Sequence, residues 1–392
     1  MRYSSTYRIL FMAATILQAF LVSCTQVDYS GMIQSFDGME SFQRTNMSKV
    51  AFNVTIPEDT IHTVEPPQYM TVLFNRTRTE VCRYIFNLDS EGKVIPELSD
   101  TLVVSDGFYL ISSVAAASDE DFEITQIENF KDDENLVMSD MYVAVPKLNT
   151  EDIISQGYID FNPKYPYIRK TEPLYVVRPE QSSGEAIFSY RKTAEEAKKD
   201  HVVDLEYAKL THRISFDLEL GLGEGVEVSQ VICAISGVPR KVQLLSGYIN
   251  SKDICKVPFE MTHEGDGKYT GFVDVYGLFS NSTEDKLIVG PGVLNVIVHV
   301  STEANGRTIK RIFYNNYNLK KDIDAANIMK LTEDGTAYIY NEEVQNLSFS
   351  LGKIFSLSKE EIVSGAGQGC EVWEGSVEDS DPSLNPGLNP EM

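Results

Sequence analysis

The chain has 392 residues, enough for two ordinary domains, and carries a net charge of −24 from 34 basic and 58 acidic side chains. Nucleic-acid binding needs a basic stripe, and the scattered Lys and Arg here exclude nucleic acid as a partner. The apolar content of 42% allows a sizeable core, and the 20 Tyr and 19 Phe residues favour β structure.

The chain begins with the pattern of a secretory signal peptide. Arg2 and Arg8 form a positive n-region, and an apolar stretch runs from Ile9 to Val22. This stretch is shorter than the ~20 apolar residues that span a bilayer, but it has the length of a signal-peptide h-region. We therefore expect residues 1–23 to be a leader that is removed.

The apolar stretch ends on Leu21-Val22-Ser23-Cys24, which resembles the bacterial lipobox. In such precursors the peptide is cut just before the cysteine, here between Ser23 and Cys24, and the cysteine is acylated. One acyl chain binds a membrane only marginally, whereas several anchor a protein stably. The resemblance implies that Cys24 is the first mature residue and that its acyl chains hold the protein on the outer membrane, at the periplasmic or the surface face.

Four further cysteines, Cys82, Cys233, Cys255 and Cys370, lie in no CxxC or CxxH arrangement, so the sequence does not support a zinc site or thioredoxin-like chemistry. An envelope location permits disulfides. Two interpretations are compatible with the sequence: a Cys233–Cys255 disulfide, or a buried thiol at Cys233 within the strand-like "VSQVICAIS".

The first half of the chain reads as a tether followed by strands. Residues 24–47 show no sustained period and are interpreted as the tether. "KVAFNVTIP" then alternates apolar and polar residues as a half-buried strand does, and "YMTVLF", "EVCRYIFNL", "DGFYLISSVA", "MYVAVP" and "PLYVVRP" follow. A short solvated helix over "TAEEAKKD" precedes the predicted domain boundary.

The second half repeats the β pattern in "THRISFDLEL", "EVSQVICAISGVP" and a hairpin whose turn is Asn305-Gly306, with a short helix over "LKKDIDAANIMK". The tail over 376–392 is rich in Pro, Ser and acids and is predicted to be disordered.

The fold class follows from the helices that the sequence lacks: parallel βαβ units need long amphipathic helices, and the sequence shows none. We predict an all-β fold of two tandem antiparallel β-sandwich domains, residues 48–203 and 204–375, with short helices.

The motifs give no catalytic or metal-binding signature. The five histidines have no HxH or HExxH spacing, and His299 in "VIVHV" is interpreted as structural. "GLGEG" is followed by a strand and not by the helix that a phosphate loop requires, and "DIDAAN" lacks the EF-hand glycine. We predict that the protein is not an enzyme and holds no metal or cofactor.

Aromatic and amide residues mix in "FYNNYN", residues 313–318. Such sets stack on sugars and hydrogen-bond them, so Tyr314 and Tyr317 are candidate glycan contacts. The other interpretation is a strand that ends in an Asn-rich turn. The glycan interpretation supports an alternative function, that of a glycan-binding surface lipoprotein in a polysaccharide-uptake system.

From about residue 45 to 375 the order of motifs resembles the fimbrillin-like lipoproteins of Bacteroidales, including the minor-fimbria anchor type. The resemblance rests on the lipobox and on "MTVLF…RYIFNLDSEG", "VSDGFYLISSVA", "PLYVVRP" and "THRISFDLEL…VICAISGVPRKVQLLSG". Its most specific part is "ISGVP", followed by "FVDVYGLF" and the Asn-Gly hairpin.

The resemblance implies two transthyretin-like sandwiches on an outer-membrane lipid anchor, and a role in building, capping or anchoring fimbriae. In polymerising members a protease cuts after an N-terminal arginine, and a neighbouring subunit adds a strand. Arg44 is the candidate protease site here, but a cut there would discard the lipid, so an uncut anchor with Arg44 as a linker residue is favoured. We expect a lipid-anchored structural or adhesive protein whose partners are fimbrial subunits, bound by strand addition.

Overall fold

The structure is a computed structural model that describes residues 47–57, 66–77, 80–100, 102–105, 107–125, 141–178, 185–187, 200–281, 289–341, 343–344 and 346–365. The predicted leader with Ser23 and Cys24, the tether up to residue 46 with Arg44, and the tail over 376–392 lie outside these residues. The helix predicted over "TAEEAKKD" lies outside them as well, except for its last residue.

The predicted all-β fold is confirmed, because strands dominate the described residues and the helices are short. The described residues of the first half form one helix, α1 (Thr150–Ser155), and two single 3-10 turns, Pro96–Leu98 and Asp119–Asp121. Its described strands are β1 (Met47–Thr55), β2 (Tyr69–Thr77), β3 (Glu80–Asn87), β4 (Val103–Ser105), β5 (Gly107–Ala116), β6 (Glu123–Thr125), β7 (Tyr142–Ala144), β8 (Tyr175–Val177), β9 (Glu185–Ile187), β10 (His201–Glu206) and β11 (Ala208–Lys209).

The described residues of the second half form longer strands and two helices, α2 (Lys320–Ala326), where the sequence predicts one, and α3 (Lys359–Ser364). Asn305 and Gly306 have φ of 53° and 72°, which a type I′ hairpin turn requires, so the predicted hairpin is confirmed. The described strands are β12 (His212–Leu222), β13 (Val226–Pro239), β14 (Lys241–Gln243), β15 (Ile254–Glu260), β16 (Thr262–Gly265), β17 (Lys268–Val275), β18 (Val293–Ala304), β19 (Arg307–Asn318), β20 (Met329–Leu331), β21 (Tyr338–Tyr340) and β22 (Asn346–Leu357).

Two sheets form a sandwich in the first half. One has the strand order β10-β1-β4, and the other has the order β11-β8-β5-β2-β3, with β9 beside β5. The inward side chains of β1 pack between them as the alternation predicts, and the ring of Phe52 meets that of Phe86 edge-on at 5.1 Å between centroids. One buried apolar cluster therefore joins both sheets.

A second sandwich, in the second half, consists of sheets with the orders β16-β17-β12-β22 and β15-β13-β18-β19. Phe216 on β12 is 1% exposed and stacks on Phe349 of its own sheet and on Phe259 of the opposite sheet, with centroids 5.4 and 5.3 Å apart. These three rings fill the space between the sheets, which is where the alternation in "THRISFDLEL" predicts the apolar side chains.

Two strand pairs are parallel, which the prediction of antiparallel sandwiches did not include. β1 pairs with β10 from Val50↔His201 to Thr55↔Glu206, and β12 pairs with β22 from Arg213↔Asn346 to Leu222↔Leu357. Parallel neighbours need a long crossover, and here the other strands of each sandwich provide it.

The two halves share a sheet and a core. β7 pairs antiparallel with β14, and Ile249 bridges both Val242 and Tyr338, which continues the same sheet towards β21 and β20. One apolar cluster contains Leu73 and Leu174 of the first half together with Phe216 of the second. The boundary between 48–203 and 204–375 stays a prediction, and β10 runs across it. The two sandwiches are packed as one body around this common core.

We expect the chain to unfold in a single transition, because separating the halves would expose the common cluster and break the β7–β14 ladder. Calorimetry tests this: the calorimetric enthalpy of unfolding should equal the van't Hoff enthalpy. Val143→Asp, at a fully buried position on β7, should lower the melting temperature of the whole chain and cost about 3 kcal/mol or more.

Val103→Asp is the matched control, since Val103 is 42% exposed on β4. Its effect should stay within about 0.5 kcal/mol. Two resolved transitions in the wild type, with only one of them sensitive to Val143→Asp, would contradict a common folding unit.

Candidate functional site

Residues 146–172 connect β7 to β8, two strands of the first half, and pack against the second half on the way. We call them the junction segment. Its backbone pairs with β15 of the second half. Ile168 N donates to Lys256 O at 2.9 Å, and Lys256 N donates to Pro166 O at 2.9 Å. The junction segment therefore adds a short parallel contact, centred on Tyr167 and Lys256, to the edge of a sheet in the second sandwich.

The junction segment also covers the outer face of β13 and β18. An apolar cluster combines residues of the segment with outward-facing residues of these strands: Ile153, Tyr158, Tyr167, Ile232, Ala234 and Ile297. The alternate residues Val231, Cys233 and Ile235 face the inner core. β13 is thus buried on both faces, and this explains why "QVICAIS" is almost continuously apolar.

Lys256 is the central polar residue of this contact, with 1% of its side chain exposed. Its Nζ donates to the carbonyl oxygen of Asn162 at 2.8 Å, forms an ion pair with Asp160, and lies 4.1 Å from the centroid of the Tyr167 ring. All three partners belong to the junction segment. Burial lowers the pKa of Lys256, and the Asp160 carboxylate opposes that shift.

Arg240, which directly precedes β14, ties β6 and β7 to the second half. Its Nη2 lies 2.7 Å from the Glu123 carboxylate, and its Nε donates to Val145 O at 2.8 Å. Asp253 lies 3.6 Å from Nη1. Because its side chain is 10% exposed, these partners replace much of the water that the guanidinium would otherwise bind.

A third charged cluster lies where the junction segment meets β12 and β17. Arg213 and Asp274 form a buried ion pair at 2.8 Å, and Thr171 bridges Asp274 through the backbone. The Phe272 ring centroid is 3.8 Å from the Arg213 guanidinium carbon and 3.8 Å from Lys170 Nζ. Burial lowers the pKa of Lys170, and the nearby carboxylates oppose the shift.

These three charged clusters are suited to holding the two halves of the chain together. Each of the three cations, Lys256, Arg240 and Arg213, is held by carboxylates, carbonyls or rings, and the first two have partners in the other half of the chain. An ion pair that is mostly out of water tolerates little displacement, because moving one partner leaves the other charge uncompensated. The arrangement therefore fixes the position of one sandwich against the other.

The structure does not bring Tyr314 and Tyr317 together. Tyr314 packs on the outer face of the second sandwich against Phe161, with centroids 4.4 Å apart. Tyr317 packs against the inner core, and its hydroxyl accepts a hydrogen bond from Asn315 Nδ2 at 2.9 Å. Residues three apart on a strand point to opposite faces, so the two rings form no common stacking surface.

Two of the described histidines, His212 and His299, fit a structural interpretation. His212 stacks on Tyr340 with 3.2 Å between ring centroids, and burial lowers its pKa to about 3. His299 lies under Gly157, where an added Cβ would be 2.9 Å from its ring, and burial lowers its pKa too. Among the residues described, no three His, Cys, Asp or Glu side chains are placed to hold a metal ion.

Cys233 and Cys255 are free and buried thiols, so of the two interpretations the buried thiol is confirmed for Cys233. Burial raises the pKa of Cys233 and raises that of Cys255 to about 12. The side chain of Cys82 and the whole of Cys370 lie outside the described part of the chain. None of the helices in that part is long and apolar enough to cross a membrane.

Sequence reasoning missed the three buried cations. The available signal was weak: a single lysine inside the apolar run "ICKVPF", where a charge needs a partner, and an arginine at the start of an alternating strand in "THRISF". Neither pattern identifies the residue that pairs with the charge, because Asp160 is 96 residues away from Lys256 along the chain.

No protein-family model and no curated protein matches the chain. Among solved structures it is similar to a candidate adhesin from Bacteroides ovatus, at 13% identity and a TM-score of 0.42, over 80% of this chain and 93% of that one. It is also similar to the fimbrial anchor protein Mfa2 from Porphyromonas gingivalis, at 16% identity and a TM-score of 0.35, over 74% and 94%. A candidate polysaccharide-binding protein from Bacteroides thetaiotaomicron matches at 12% identity and 0.39, over 85% and 99%. At these TM-scores the similarities do not indicate what this protein does.

Asp160→Ala should destabilise the chain by about 3 kcal/mol, because it leaves the Lys256 ammonium group buried without its charge partner. The double variant Lys256→Met with Asp160→Ala removes both charges and should recover most of that loss. Urea unfolding followed by intrinsic fluorescence measures both. Lys93→Met is the control, since its ion pair with Glu91 is exposed and should contribute less than about 1 kcal/mol. Equal losses in the single and double variants would contradict the role assigned to the pair.

Proposed function

We propose that this chain is a non-enzymatic protein held on the outer membrane by acyl chains on Cys24, with a structural or adhesive role like that of fimbrial anchor and accessory subunits. The observation that carries the proposal is the lipobox-like Leu21-Val22-Ser23-Cys24, which follows a basic n-region and an apolar stretch. The resemblance to the fimbrillin-like lipoproteins supports the same conclusion.

The geometry of the junction supports a structural role. The tether leads into β1, so an anchor at Cys24 holds the first sandwich directly. The second sandwich is held through the β7–β14 ladder and the pairs made by Lys256 and Arg240. Attaching the chain at one end therefore positions both sandwiches, which is what a protein that presents a surface or a partner away from a membrane requires.

We further propose that fimbrial subunits bind by strand addition at β22. This strand has twelve residues and pairs with β12 on one side, and no other described strand lies along its second edge. An open edge offers backbone donors and acceptors to an incoming strand. Ser348, Lys353 and Ser356 expose their side chains along β22, so an added strand would meet a polar surface.

Replacing the acylated residue tests the anchor. Cells grown with labelled palmitate should incorporate label into the wild-type chain and none into Cys24→Ala, because the thiol and the new amine are the acceptor groups. The control is Cys370→Ala, which should keep full labelling. A labelled Cys24→Ala chain, or an unlabelled wild-type chain in the soluble fraction, would overturn the lipid anchor.

Photo-crosslinking in envelope fractions tests the partner. A photoreactive residue at position 348 or 356 of β22 should yield an adduct with a fimbrial subunit, identified by mass spectrometry. The matched control is position 270, an exposed threonine on β17, which pairs with Asp217 of β12 on one side and with Thr262 of β16 on the other. Adducts of equal yield at 270, or none from β22, would exclude strand addition at this edge while leaving the anchor standing.

A further inference from the structure

The first strand of each sandwich lies parallel to a strand near the end of the same sandwich. β1 begins the first sandwich and pairs with β10, after which only the two-residue β11 precedes β12. β12 begins the second sandwich and pairs with β22, the last described strand. The first strand of each sandwich is therefore a direct neighbour of a strand at or near the point where the chain leaves that sandwich.

Parallel pairing sets how tension along the chain loads these strands. Tension between the chain ends pulls β1 from its first residue and β10 from its last. Because the strands are parallel, these two points lie at opposite ends of the ladder. The strands must then slide past each other, and all their hydrogen bonds carry the load together. The same holds for β12, pulled from its first residue, and β22, pulled from its last.

We propose that the β1–β10 and β12–β22 ladders are two shear clamps in series, and that the chain is built to bear tension between its N-terminal and C-terminal ends. This deepens the proposed function, since it gives an anchored adhesive or fimbrial protein the mechanical property that its position demands. The clamps themselves depend only on strand order and direction, and they need no acyl chain.

Side-chain contacts cross the first ladder. Asn53 Nδ2 donates to the Asp204 carboxylate at 2.8 Å, and Lys49 Nζ lies 3.5 Å from Asp200. On the inner face, Phe52 packs in the same apolar cluster as Leu205 of β10. Sliding β1 along β10 breaks these contacts at the same time as the six register pairs of the ladder.

The β12–β22 ladder is longer than the β1–β10 ladder, and a further contact holds the chain just after it leaves β22. Ser350 Oγ donates to the Asp217 carboxylate at 2.8 Å, and Phe349 stacks on Phe216. Beyond β22 the chain enters α3, whose buried Ile362 carbonyl accepts a hydrogen bond from Arg311 Nε of the opposite sheet at 3.1 Å. Tension that arrives from the C-terminal side meets this contact before it reaches the ladder.

Pulling the chain in two directions tests the proposal, and the substitutions that attach the internal handles fall at exposed positions. The full mature chain, residues 24–392, is made without acylation and pulled by handles at its two ends. It is then pulled by handles at positions 49 and 200, exposed neighbours at the same end of the first ladder. The second direction peels β1 from β10 one register pair at a time. The unfolding force should be several-fold higher between the chain ends than between 49 and 200, because forced unfolding follows the barrier along the direction of load. Equal or lower force between the chain ends would overturn the proposal.

Asn53→Ala should lower the unfolding force between the chain ends, because it removes a contact that breaks together with the ladder. The matched control is Thr308→Ala, which removes a side-chain hydrogen bond to Glu303 across the β18–β19 hairpin, outside both clamps. That control should leave the force unchanged in both directions. A drop of the same size in both variants would show that general stability sets the force. Since no acyl chain is present, failure here leaves the anchor untouched, and failed labelling at Cys24 leaves the clamps untouched.

Discussion

The ammonium group of Lys256 is the constraint on which the junction depends. It lies out of water on β15, so the chain must bring it a carboxylate and a carbonyl, and both come from the junction segment through Asp160 and Asn162. The segment begins directly after β7, so holding it over β13 and β18 also keeps β7 close to β14, with which it pairs. The Lys256 contacts and the shared sheet therefore support the same placement of the two halves.

Buried charge of this kind adds little net stability, because the desolvation of two ions offsets much of their attraction. Its role here is to favour one arrangement of the two sandwiches over displaced ones. A sandwich displaced along the junction would separate Lys256 from Asp160 and Arg240 from Glu123, and leaving a buried charge without its partner costs about 3–5 kcal/mol. The apolar cluster therefore supplies the driving force for association, and the cations determine which arrangement it adopts.

Local structure was predictable from the sequence, and long-range pairing was not. Alternation identified β1 and β12, and Asn305-Gly306 identified the hairpin between β18 and β19. A two-residue period says which face a side chain occupies but not which strand lies alongside, so the parallel β1–β10 and β12–β22 pairs could not be foreseen. The junction segment has no regular period, and its prolines suggest a plain loop, so neither its cover of β13 nor the partners of Lys256 could be deduced.

The two free thiols affect how the chain tolerates an oxidising compartment. Cys233 sits opposite Phe259, and Cys255 sits opposite Val238, so the β13–β15 register keeps the two sulfur atoms several residues apart in a solvent-excluded core. Once these strands have paired, neither thiol can reach the other or meet an oxidant, and burial keeps both in the unreactive protonated form. Strand pairing therefore protects both thiols from oxidation.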